Sequence, residues 1–68
     1  MLDETELKLV QDLIKETNCG FHLALKALSF VKEHKDENVT MVGFVKAKTL
    51  AVATPNLTFL ERVKKFSN

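Results

Sequence analysis

The 68 residues predict an all-α fold, a small three-helix bundle with an additional C-terminal helix. Three observations predict it. Apolar residues recur at i, i+3, i+4 and i+7 in segments placed to pack on one another. Helix-start chemistry precedes those segments. The one stretch with strand-like character, Val39 to Val45, has no second strand to pair with. The chain is read as a single domain over 1–68, with a three-helix core at 3–52 and a C-terminal helix at 54–67. That length lies near the lower limit at which one apolar core offsets chain entropy without staples.

Helix one is expected over 3–17. Asp3 is placed as N-cap, Glu6 completes a capping box, and Leu2 and Leu7 are spaced as a hydrophobic staple. Leu7, Val10, Leu13 and Ile14 give its apolar stripe. Thr17-Asn18-Cys19-Gly20 should end it, because Asn and Gly tolerate left-handed backbone angles.

Helix two is apolar on more than one side. Phe21, Ala24, Leu28 and Val31 form one line, and Leu23, Ala27 and Phe30 form another beside it. Such breadth predicts the central helix of the bundle. Leu25 falls with Ser29 and Lys32 on the face expected to be wet. The run His34-Lys35-Asp36-Glu37-Asn38 ends the helix and makes the next loop, with His34 expected to cap the last carbonyls.

Helix three is expected from an N-cap at Asn38 to about Val52. Its β-branched residues and internal Gly43 lower its intrinsic propensity, and a strand over Val39–Val45 is the competing reading. Thr54-Pro55 reads as N-cap and first position of helix four. There Leu57, Leu60 and Lys64, and Phe59, Val63 and Phe66, fall at helical spacing.

Composition narrows the function classes. With 46% hydrophobic and 28% charged residues, one proline and two glycines, the chain is too apolar for a disordered one. One cysteine makes no internal disulfide, so a reducing, cytoplasmic setting is expected. The acidic start is not that of a secretory signal, and no apolar run approaches the roughly 20 residues of a membrane span. Residues 1–37 carry eight acids against five bases, and residues 38–68 carry one acid against five bases, a sign split within a net charge of +1. A solvated helical surface accounts for the split; orientation on a partner is the functional alternative.

Catalytic and metal constellations do not emerge. Cys19 and His22 have C-x-x-H spacing, but a small turn residue beside a surface histidine is the simpler reading. One cysteine and two histidines fall short of a structural zinc set. No phosphate loop, carboxylate pair or Ser-His-Asp set appears. No enzyme activity and no cofactor are therefore expected. The Asn38-Val39-Thr40 and Asn56-Leu57-Thr58 glycosylation patterns lack the secretory context they would need.

The order helix, short glycine-containing turn, apolar helix, loop, helix resembles that of ubiquitin-associated (UBA) domains and of the related N-terminal domain of elongation factor Ts. The resemblance rests on Thr17-Asn18-Cys19-Gly20-Phe21, on Ala24, Lys26, Ala27 and Leu28, and on Phe44-Val45-Lys46-Ala47-Lys48. It covers approximately residues 6–51. Three departures stand out: Cys19 occupies the turn methionine's place, Thr49 that of the elongation-factor C-cap glycine, and the loop near Lys35 and Asp36 is long. The resemblance implies a non-catalytic protein-binding module whose partner contacts the first turn and the third helix. Carried onto this sequence, the contact residues are Cys19, Gly20, Phe21, Leu25 and Leu50. Phe21 is equally suited to core packing. A second reading is a nucleic-acid- or ribosome-associated protein using Lys46, Lys48, Arg62, Lys64 and Lys65, although stacking aromatics are scarce. A third is a helical subunit whose apolar excess is buried by self-association.

Overall fold

The computed structural model describes residues 2–50 and 56–68. Four helices follow in order: α1 (Glu4–Thr17), α2 (Phe21–Glu33), α3 (Met41–Thr49) and α4 (Phe59–Ser67), with no strand among the described residues. None of these helices is long and apolar enough to cross a membrane.

The start of α1 follows its sequence signal. Asp3 accepts from the Glu6 amide at 2.8 Å, and the Glu6 carboxylate accepts from the Asp3 amide at 3.4 Å. The expected staple is not reproduced: Leu2 packs against the core while Leu7 is exposed. At the other end Asn18 takes the left-handed conformation, φ 58°, and its amide donates to the Ile14 carbonyl.

The helix-three boundaries differ from expectation, and the hydrogen bonds show why. Thr40, not Asn38, is the N-cap; its hydroxyl accepts from the Gly43 amide at 2.9 Å. The Asn38 amide group is engaged elsewhere, donating to the Asn68 side chain. The helix stops at Thr49, whose hydroxyl donates back to the Val45 carbonyl at 3.0 Å, and Leu50 is the C-cap; Val52 lies outside the described residues. Helix four begins later than the Thr54-Pro55 reading, which itself falls outside the described residues. Thr58 caps it with a reciprocal Glu61 bond, 3.2 Å from the Glu61 amide to Thr58 Oγ1 and 2.9 Å from the Thr58 amide to the Glu61 carboxylate. A capping box satisfies two helix-end donors, whereas a lone Thr-Pro start satisfies fewer.

The core is Val10, Leu13, Ala24, Ala27, Leu28, Phe44, Val45, Ala47 and Val63, drawn from all four helices. Within the three-helix core α2 is flanked by α1 and α3, as its breadth predicted; α3 is shared more widely still, packing on α1, α2 and α4, and its packing on α4 is the most extensive of the pairs. Gly43 makes that approach possible. A Cβ there would overlap Ser67 Oγ and stand 2.8 Å from the Val63 carbonyl oxygen. Ser67 closes the crossing: its hydroxyl donates to the Val63 carbonyl at 2.6 Å and accepts from the Thr40 amide at 2.8 Å.

Beside this crossing lies an aromatic cluster. The Phe30, Phe44 and Phe59 rings are 5.2–5.5 Å apart centre to centre, two of the three pairs edge-on. Ion pairs link the elements around it. Lys32 bonds Glu6 at 2.6 Å, and Glu37 accepts from both His34 (2.5 Å) and Lys64 (3.1 Å). The His34 side chain thus serves Glu37 rather than the α2 carbonyls, and its ring lies 4.4 Å from that of Phe30.

Candidate interaction surface

The turn between α1 and α2 is shaped by local chemistry. The Thr17 hydroxyl donates to the Leu13 carbonyl at 2.8 Å, and left-handed Asn18 reverses the chain. Gly20 then serves as N-cap of α2 with an ordinary φ of −76° and no side-chain cap. The turn therefore sets Cys19 half-buried against the core and Phe21 outward, 52% exposed.

Cys19 lines an open groove of about 460 Å3 between this turn and α3. Leu23, Val42 and Val45 give it apolar walls, and Glu16, Lys46 and Thr49 stand along it. Leu50 follows Thr49 and is 46% exposed. The first turn and the third helix, more than twenty residues apart in sequence, thus share one concave surface.

The five residues singled out in the sequence do not form one patch. Leu25 is half-buried rather than wet; it packs against the core and lines a different groove of about 310 Å3 with Phe30 and Phe44. Phe44, brought alongside by α3, lines this groove with Leu25, which the helical pattern of α2 alone does not specify. Gly20, Phe21 and Leu50 are exposed but line neither groove. His22 lines the Leu25 groove while Cys19 lines the other, so the C-x-x-H spacing places thiol and imidazole on separate surfaces.

Sequence reasoning missed Leu23, Val42 and Val45 as site residues because their helical spacing reads equally well as core. It missed Leu9 altogether, which is 45% exposed on α1. The signal was present: Leu9, Asp12, Leu13 and Glu16 lie at i, i+3, i+4 and i+7, a second stripe beside the buried one.

The basic residues of the second half are partly engaged within the fold. Lys64 pairs with Glu37. Lys48 Nζ lies 5.0 Å from the Phe59 ring centre and 5.8 Å from that of Phe44. Arg62 lies 5.6 Å from the Phe59 ring centre and donates to the Leu57 carbonyl. Lys48 and Arg62 thus lie over ring faces, while Lys46 and Lys65 are exposed and in no ion pair among the described residues. His34 first and Lys64 second hold the Glu37 carboxyl below the ordinary carboxylate range. The Lys32 bond does the same for Glu6, and in turn raises the Lys32 ammonium.

Comparison with known proteins returns no matching family model, no matching curated protein and no matching solved structure.

Proposed function

We propose that this chain is a non-catalytic protein-interaction module of the UBA and elongation-factor-Ts kind, engaging a protein partner through its first turn and third helix. One observation carries the reading: Cys19 from the turn and Val42, Val45 and Thr49 from α3 line the same apolar groove. Exposed Phe21 and Leu50 lie outside the groove lining, Phe21 two residues from Cys19 and Leu50 next to Thr49, and are taken as anchors at its rim. Large apolar side chains that remain half in water lose that exposure on docking, and full burial of one stabilises a complex by about 1.5–3 kcal/mol. Leu25 is left out of the contact set because it serves the other groove. Ion pairing of Lys64 and the ring contacts of Lys48 and Arg62 weigh against the nucleic-acid alternative.

The test is affinity capture with immobilised wild type, Phe21→Lys and Leu50→Lys, before and after nuclease treatment. Both positions are exposed, so circular dichroism should match wild type for each variant. Protein capture that survives nuclease and falls about tenfold or more with either substitution is expected, tenfold being about 1.4 kcal/mol. Capture abolished by nuclease and indifferent to both substitutions would overturn the reading in favour of the basic half.

A further inference from the structure

The groove beside Cys19 does not end there. A second hollow, of about 210 Å3, runs between Leu9, Asp12 and Leu13 of α1 and Thr40 and Met41 at the start of α3. Glu16 and Val42 line both hollows, so they form one furrow between α1 and α3. Along α1 it extends from Leu9 to Thr17, about 12 Å at the helical rise of 1.5 Å per residue, and then passes Cys19 in the turn. That length matches roughly two turns of a docked helix with apolar anchors at i, i+4 and i+7.

The two edges differ in charge. Asp12 and Glu16 stand on the α1 edge, both exposed, and neither carboxylate is in an ion pair among the described residues. The bases of α1, Lys8 and Lys15, line a neighbouring hollow that Asp12 also borders and do not line the furrow, whereas Glu16 lines the furrow alone. Among the described residues, Lys46, near the far end on α3, is the one base lining the furrow itself. Apart from Asn18 and Cys19 in the turn and the cap residue Thr40, the walls are helices whose backbone groups are bonded internally. An extended peptide would lay unpaired amides and carbonyls against apolar walls, whereas a helix brings its backbone already satisfied.

Resting on the interaction reading above, we infer that the furrow takes a basic amphipathic helix from its partner. The apolar face of that helix lies on Leu9, Met41, Val42 and Val45, and its lysines or arginines face Asp12 and Glu16. Exposed Leu9 extends the contact beyond the first turn and gives α1 a share in it.

The experiment titrates the isotope-labelled 68-residue chain with two synthetic helical peptides and follows amide shifts. One has leucine at every third or fourth position flanked by lysine; the other carries glutamate in place of each lysine. Shifts centred on Leu9, Asp12, Glu16 and Val42, with at least tenfold tighter binding of the lysine peptide, are expected. The double variant Asp12→Lys/Glu16→Lys should reverse the preference. Equal binding of both peptides, or shifts centred on α4, would overturn the inference. So would concentration-dependent shifts at the same residues without peptide, which would assign the furrow to a second copy of the chain. A captured partner lost with Leu50→Lys but retained by the Asp12/Glu16 variant would also refute the basic helix while leaving the interaction reading intact. If neither variant alters capture, the interaction reading fails as well.

Discussion

Gly43 lies where α3 crosses α4, with Ser67 Oγ and the Val63 carbonyl in the space a side chain would need. In the sequence it reads only as a residue that weakens a helix, because propensity sees one chain segment and the crossing involves two. Gly43→Ala should gain up to about 1 kcal/mol in propensity but lose about 1–3 kcal/mol to overpacking. A lower melting temperature is therefore expected. Gly20→Ser is the contrast: a Cβ at position 20 meets nothing within 4 Å, and the hydroxyl supplies the cap that α2 lacks. Its melting temperature should equal or exceed that of wild type. Leu25 teaches the same lesson with opposite sign. Its neighbours Ser29 and Lys32 mark a wet face, yet Phe44 arrives from another helix to cover it. Leu25→Lys should therefore destabilise by about 1 kcal/mol or more, seen as an earlier thermal transition, which makes it a poor probe of binding.

Among the elements, the starts of α1 and α2 and the helical nature of all four segments were legible, because caps and periodicity are local. The starts of α3 and α4 were not, because each had two rival caps a few residues apart. Asn38 and Thr40 both suit an N-cap; the contact with Ser67 that selects Thr40 comes from 27 residues away. For α4 the deciding signal was in plain view, since Thr58 and Glu61 have capping-box spacing, but Thr54-Pro55 offered a competing start. Thr58→Ala should cost about 1 kcal/mol, as loss of an N-cap does. In a domain of this size that is a fall of roughly 4–8 °C in melting temperature. A shift of that size in Thr58→Ala locates the working cap; an unchanged transition would place it elsewhere.

Over the whole molecule, three acids are held below the ordinary carboxylate range: Glu37 by His34 and then Lys64, Glu6 by Lys32, and Glu61 by the Thr58 amide. A carboxyl whose folded pKa is depressed adds stability above its unfolded value, and that stability is lost as pH falls through the folded value. Thermal stability should therefore be flat near neutrality and decline below about pH 4.3, the ordinary glutamate value. Glu37→Gln should flatten that decline; an identical acid limb in the variant would show that the pair contributes nothing. The candidate surface was half legible in the sequence. The turn residues and α3 were named as a contact region, but which apolar side chains face the groove depends on how α1 and α3 meet, and no local pattern encodes that. The position of α3 among the other three helices also has a temporal side. Residues 41–49 are synthesised before residues 59–67, so the side of α3 bearing Gly43 and Phe44 emerges without its cover. Until α4 follows, the nascent chain presents that apolar strip to whatever waits outside the ribosome, as incomplete domains do. The pace of translation across residues 50–58 sets how long the strip stays open to chaperones or to a neighbouring nascent chain.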